Sequence, residues 1–346
     1  MVEQEHAADS GTRACQECFE TPITVSMDLL IVEPLEPEVV QWLAARYRVR
    51  LAPELVRDPL GLRRALFQVR ALISPSAVAI DAATLRAAPR LRAVGRLSAG
   101  VENIDLEACA RARVELVRPG SATAHAEAEF AIGALLQLLR RVPVVNGEGL
   151  LVGRELGGSR VGLVGMTPAA QPLAALLEAF GADVVGYDPQ LHASDPLWAQ
   201  WGVRPLALRT LLEQCDGVCV LLAFFTRYRG LIGERYLAGC KTHQVLVSLT
   251  HSSIFDESAL AEALNSARLA AAWLDSLEPG ALDPGRPLHG VHTLQITPRV
   301  ASTTRESRQR SAWAVARRID ELLTPPPTDS GFSSTSEGGV VDLADD

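Results

Sequence analysis

Arg160-Val161-Gly162-Leu163-Val164-Gly165-Met166-Thr167-Pro168-Ala169-Ala170 is the stretch that decides how this chain is read. Its opening residues form a short apolar run, the pattern of a strand buried on both faces of a parallel sheet. Gly165 ends that run in a turn. Pro168 is suited to the first turn of a helix, predicted over residues 168–180, because its missing N–H leaves nothing unpaired there. Ala182-Asp183-Val184-Val185-Gly186-Tyr187-Asp188 is the next strand, and it closes on a carboxylate.

Strand, turn, helix, strand and acid in this order form the fingerprint of a dinucleotide-binding unit, written G-x-G-x-x-G/A. The first glycine makes the tight turn, the second admits a pyrophosphate, and the third lets helix and strand pack closely. Gly165 fills the first place and Ala170 is an allowed third. Thr167 stands in the second, where its β-branch crowds the phosphates. The helix start can still face an anion. Gly165, Thr167, Pro168, Ala169 and Ala170 are therefore candidate cofactor contacts. Asp188 is placed for the ribose hydroxyls and disfavours the extra phosphate of NADP, so the expected cofactor is NAD.

Outward from this unit, strands and helices alternate. Asp28–Val32, Ala71–Ile73, Leu91–Val94 and Val114–Val117 read as strands, with a helix over Pro37–Tyr47 and a long Ala- and Leu-rich helix from Ala124 to Arg141. Further strands fall at Gly217–Leu222, Gln244–Leu249 and Ala270–Asp275. The alternation implies parallel sheets covered on both faces. The 346 residues suffice for two domains. A net charge of −8 argues against nucleic acid or an anionic membrane as partner. No apolar run is long enough to cross a bilayer. The N-terminal segment lacks a signal-peptide core, so a cytoplasmic location is expected. Residues 1–25 and 324–346 read as disordered tails. Cys15 and Cys18 have CxxC spacing, but no second pair or histidine completes a zinc site, and no metal is expected.

Several further segments resemble the D-2-hydroxyacid dehydrogenases. Ser98 to Asp105 is similar to the G-x-G-x-D-N-I-D segment of that family. Residues 126–140 resemble its A-E-x-x-x-x-L-x-L-x-R interdomain helix, Thr226 to Gly233 its T-x-x-T-x-x-L-I, and Asp256 to Leu260 its V-D-E-x-A-L. The resemblance covers about residues 28–323. It implies an α/β architecture of two doubly wound parallel-sheet domains: a Rossmann NAD-binding domain (125–299) inserted into a flavodoxin-like substrate domain (26–124 plus 300–323). It also implies a homodimer, and a small 2-hydroxy or 2-keto acid bound in the cleft by Ser76, Ala99 and Gly100.

Catalysis in that family uses an Arg to clamp the substrate carboxylate, a His to exchange the proton, and a Glu to hold the imidazole. The Arg position falls on His251 and the His position on Arg299, so the two types stand exchanged. Glu278, in Leu274-Asp275-Ser276-Leu277-Glu278-Pro279, takes the Glu position but lies two residues closer to Asp275 than the family spacing. Thr250 and Asp275 are the expected nicotinamide contacts. Two readings follow. Arg299 and His251 have swapped roles in a working NAD-dependent oxidoreductase, or the cleft belongs to a catalytically inactive NAD(H)-binding sensor or scaffold. A guanidinium cannot act as a base. His125, at the start of the long helix, is a spare acid–base candidate.

Overall fold

The computed structural model describes residues 27–324, apart from Ala99, Val101, Glu102, Pro143 and Asn146. The two tails, Cys15, Cys18 and the substrate contact expected at Ala99 lie outside the described residues. The first sheet holds β1 (Leu29–Ile31), β2 (Val49–Leu51), β3 (Ala71–Ile73), β4 (Ala93–Gly95) and β5 (Glu115–Val117). Its order is β2-β1-β3-β4-β5 and all its pairs are parallel. This is the flavodoxin-like winding.

The helix Ala124–Arg141 then leads to a small antiparallel hairpin, β6 (Val144–Val145) and β7 (Leu151–Val152). The second sheet follows: β8 (Arg160–Val164), β9 (Asp183–Tyr187), β10 (Arg204–Pro205), β11 (Gly217–Val220), β12 (Val245–Ser248), β13 (Ala271–Leu274) and β14 (Leu294–Ile296). Its order is β10-β9-β8-β11-β12-β13-β14, again parallel throughout. The strand order reverses between β8 and β11, which is where open α/β sheets bind ligands at their carboxyl ends.

The long helix belongs to the second sheet by packing. Ala131, Leu135 and Leu138 are sealed against Val161, Val245 and Val247. A Cβ at Gly217 would lie 3.1 Å from Leu135 Cδ2, so helix and strand approach closely.

The last helix, Arg305–Leu323, returns to the first sheet. Val315, Ile319 and Leu323 are each at most 1% exposed in the core shared with β1, β3 and β4. Burial of side chains this size stabilises by roughly 1.5–3 kcal/mol each, enough to hold a terminal helix in place. A Cβ at Gly95 of β4 would stand 2.6 Å from Val315 Cγ1, so the contact depends on glycine there. Trp42 meets Trp313 edge-on at 5.7 Å, and Tyr47 Oη donates to Asp320 Oδ1 at 2.8 Å.

β2, β10 and β14 escape sequence reading, and all three share one cause. β2 and β14 carry half-buried or exposed side chains, and β10 is a two-residue edge strand containing Pro205, so none has the continuous apolar run of a central strand.

Candidate functional site

Gly165 turns at φ +103°, in the region that favours glycine. A Cβ there would come within 2.4 Å of the Leu222 backbone, so the segment just after β11 leaves no room for any side chain. Gly165 N donates to Tyr187 O at 2.7 Å, and Met166 N donates to Asp188 Oδ2 at 2.8 Å. Gln190 N donates to Asp188 Oδ1 at 2.8 Å. Asp188 thus faces the turn that leaves β8, and its two oxygens keep acceptor capacity beyond these two bonds.

The helix after the turn runs Ala170–Ala179, two residues later than Pro168 would start it. Ala170 N donates to Thr167 O at 2.8 Å, closing a turn over 167–170 in which Pro168 holds the second place. That place suits proline's fixed φ as well as a helix start does. Thr167 is half-buried, Pro168 exposed, and Ala169 and Ala170 are buried against the sheet. The third fingerprint position therefore does what its small size is for.

At the carboxyl end of β12, Thr250 is buried and His251 begins a short turn, its Nδ1 accepting from Ser253 N at 3.3 Å. The imidazole stacks on Phe224, which follows β11, at 5.1 Å between ring centres. Ser252 Oγ accepts from Glu278 N at 2.9 Å, so backbone and not carboxylate ties Glu278 to the His251 turn. The Glu278 carboxylate pairs with Arg229 at 3.5 Å, on the wall of a cavity of about 260 Å³. The shortened spacing from Asp275 thus coincides with a carboxylate turned toward Arg229.

Asp275 directly follows β13 and is only 4% exposed. Its Oδ1 accepts from Thr297 Oγ1 at 2.6 Å and Val300 N at 2.9 Å, and Oδ2 from Ala301 N at 3.0 Å. Expected at the nicotinamide, it also organises the loop that carries Arg299. Arg299 sits at φ +57°, unusual for a residue with a Cβ, and its Nε donates to Ser276 Oγ at 3.0 Å. Asp275, Ser276 and Arg299 are therefore one hydrogen-bonded group.

On the first sheet, Ser76 follows β3 and is exposed, while Gly100 follows β4 and is half-buried. Asn103 Nδ2 donates to the carbonyls of Ser76 and Val78, and the fully buried Arg96 donates to those of Pro75 and Val78. These two residues hold the loops after β3 and β4 side by side. Sequence reading did not single them out; an arginine directly behind an apolar strand was the available signal.

Residues 134–301 match the family model described as D-isomer specific 2-hydroxyacid dehydrogenase, NAD binding domain. The chain is 33% identical over 304 residues to an (S)-sulfolactate dehydrogenase of Chromohalobacter salexigens, covering 86% of this chain and 98% of that one. The chain belongs to the D-isomer specific 2-hydroxyacid dehydrogenase family. It is also 32% identical to a D-3-phosphoglycerate dehydrogenase of Mycobacterium bovis over 84% of its length, spanning 56% of that longer relative. Among solved structures it resembles the TT0316 protein of Thermus thermophilus, with TM-score 0.71, 26% identity and coverage of 86% and 97%. An NAD-bound 3-phosphoglycerate dehydrogenase of Entamoeba histolytica shares the fold at TM-score 0.69 and 18% identity, with coverage of 86% and 95%.

The cofactor of this family, NAD, fits the residues present: Gly165 makes the tight left-handed turn out of β8, and the Asp188 carboxylate points at that turn. Among the other histidines, His125 is exposed in the first turn of the long helix, and His243 meets Asp216 at 3.1 Å at the opposite end of the sheet. Cys109, Cys215 and Cys219 are buried, and burial pushes the Cys215, Cys219 and Cys240 thiols up to about 12. No group of three or more metal-ligating side chains occurs among the described residues, and none of their helices is long and apolar enough to cross a membrane.

Proposed function

We propose that this chain is an NAD-dependent oxidoreductase interconverting a small 2-hydroxy acid and its 2-keto acid, with Arg299 and His251 in exchanged places. The observation that carries this reading is the Gly165–Asp188 turn at the carboxyl end of β8, in a sheet whose β13 carries the Asp275, Ser276 and Arg299 group at its own carboxyl end. When bound, the nicotinamide supplies or accepts the hydride. Asp188 would take the adenosine ribose, with Thr167, Pro168, Ala169 and Ala170 at the phosphates and Thr250 and Asp275 near the nicotinamide. Arg299 would clamp the substrate carboxylate through its fork of N–H groups, and Ser276 would fix the angle of that fork. Ser76 and Gly100 would close the cleft from the first sheet. His251, steadied by Phe224 and Ser253, would line it from β12.

A second reading is favoured by the ion pair of Glu278 with Arg229, which occupies the carboxylate that would otherwise raise the basicity of the imidazole. On that reading the chain is a sensor or scaffold that binds NAD(H) without turnover. Oxidation of NADH against a panel of 2-keto acids separates the two. Turnover of one member supports the enzyme; saturable NADH binding with silence across the panel supports the sensor.

We further infer a division into residues 26–124 plus 300–323 for the substrate and 125–299 for NAD, supported by the return of the last helix to the first sheet. The homodimer we propose would use the long helix and the hairpin beside it, where Val145 and Leu151 are 66% and 70% exposed. The unpaired thiols of Cys109, Cys215, Cys219 and Cys240 suit a reducing compartment such as the cytoplasm.

A further inference from the structure

We propose that the cavity beside the His251 turn binds a small α-amino acid with an apolar side chain, at a site separate from the dinucleotide crevice. The cavity is about 260 Å³. Pockets for drug-sized ligands run to roughly 300–1,000 Å³, so the occupant of this one is small. Its wall is built from the loop of Arg229 and Gly230, the Ser252–Ser253 turn, the start of the helix Glu257–Asn265, and the loop from Glu278 to Leu288. Neither Gly165, Thr167 nor Asp188 lines it.

One part of this wall calls for a hydrogen-bond donor. Ser253 is 6% exposed, and its backbone is fully engaged. Its N–H donates to His251 Nδ1 at 3.3 Å, and its carbonyl accepts from Gly230 N at 2.9 Å. The Ser253 hydroxyl finds no partner among the described residues. Neither does the buried Oε1 of Glu257, although Oε2 of that carboxylate pairs with Arg286. Buried polar atoms are nearly always paired, so two orphans on one cavity wall point to a ligand. A carboxylate oxygen and a hydroxyl together suit the three N–H donors of an ammonium group.

Another part calls for a carboxylate. Arg229 stands 3.5 Å from Glu278, longer than the about 2.7–2.9 Å of a charge-assisted hydrogen bond. The two side chains are 57% and 38% exposed, and an ion pair so solvated is weak. A ligand carboxylate can therefore take the Arg229 fork from Glu278. The nearby helix start is no anion site, because Asp256 caps it by accepting from Ala259 N at 2.9 Å. Asp256, Glu257 and Glu278 outnumber Arg229 and Arg286 on the wall, which disfavours a plain anion. A zwitterion adds no net charge. The rest of the lining is apolar: Phe255, Leu260, Leu274 and Leu288 are each at most 4% exposed, and they suit an aliphatic side chain.

The test is calorimetric titration of the intact chain with L-valine. We expect saturable binding with a Kd of about 1 mM or tighter, unchanged by saturating NADH. Three probes each lack one group: 3-methylbutanoate the ammonium, 2-methylpropylamine the carboxylate, and glycine the side chain. Each should bind about tenfold more weakly or worse. Arg229→Gln and Ser253→Ala should each weaken valine about tenfold, with the Kd for NADH within about twofold. Ser253→Ala removes only an unpartnered hydroxyl, so its thermal midpoint should equal or exceed that of the parent. In proton NMR, valine should shift the imidazole resonance that is missing from His251→Asn, because Ser253 N–H bonds that ring. Absence of valine binding overturns the proposal. So does equal binding of 3-methylbutanoate or the amine, or undiminished binding by both variants. Competition between valine and NADH also overturns it, by placing valine in the dinucleotide crevice. The oxidoreductase reading is decided separately, by the panel of 2-keto acids.

Discussion

The backbone N–H of Met166 donates to the carboxylate of Asp188 across 2.8 Å, so the turn leaving β8 and the end of β9 are locked to each other. The cradle is assembled by the chain itself, before any ligand contributes. Preorganisation of this kind spares a ligand the ordering of the loop it binds.

Asp188→Ala removes an acceptor from two backbone N–H groups, one of them in the buried Met166. An unsatisfied buried donor costs roughly 1–3 kcal/mol. We expect a loss of that size in urea unfolding, and a fall of tenfold or more in NADH affinity read by nucleotide fluorescence. A variant as stable and as tightly binding as the parent would separate Asp188 from the cofactor.

Gly165→Ala puts a Cβ 2.4 Å from the Leu222 backbone at a φ of +103°. Backbone strain and overpacking each cost about 1–3 kcal/mol, and Leu222 cannot move without breaking the bond from its N–H to the Val164 carbonyl. The expected result is a destabilisation of about 3 kcal/mol or more, seen as a lower thermal midpoint in differential scanning calorimetry.

Much of this architecture is legible from residue order, and the reason is physical. Central parallel strands are apolar on both faces, so β1, β3, β8, β11, β12 and β13 announce themselves as continuous runs. The Gly165 turn and Asp188 are legible because a tight turn and a strand-end acid carry their meaning locally. Asp275 is different. Nothing beside it in sequence says that Thr297, Val300 and Ala301 will close around its carboxylate, since that depends on how the loop after β14 returns to β13. The partner of Glu278 is hidden for the same reason: spacing can place a carboxylate near a strand end but cannot say that Arg229 will claim it.

Thr167→Gly tests the one departure in the fingerprint. Thr167 is half-buried in the turn over 167–170, where a β-branch narrows the approach to a diphosphate. We expect tighter NADH binding, read as a larger thermal shift at the same ligand concentration, because ligand that binds only the folded state raises its stability. A weaker shift would show that the threonine hydroxyl helps hold the phosphates.

Asp216 sits at the other end of the second sheet and reports on stability alone. Burial raises its pKa, but the side-chain bond from Lys241, the backbone N–H of Arg160 and the bond from His243 outweigh that and hold it at about 2. A folded pKa below the unfolded value of about 3.9 means stability that is full above pH 4 and lost as pH falls toward 2. Screening at this partly solvated site leaves a loss of about 1 kcal/mol. Urea midpoints measured from pH 5 to pH 2 should show it, and Asp216→Asn should flatten that part of the slope.

The most direct test of the account is calorimetric titration of the intact chain with NADH, beside the Asp188→Ala variant. The account predicts saturable binding at one NADH per chain, weakened at least tenfold in the variant. Absence of binding to the intact chain, or equal binding by both proteins, would contradict it.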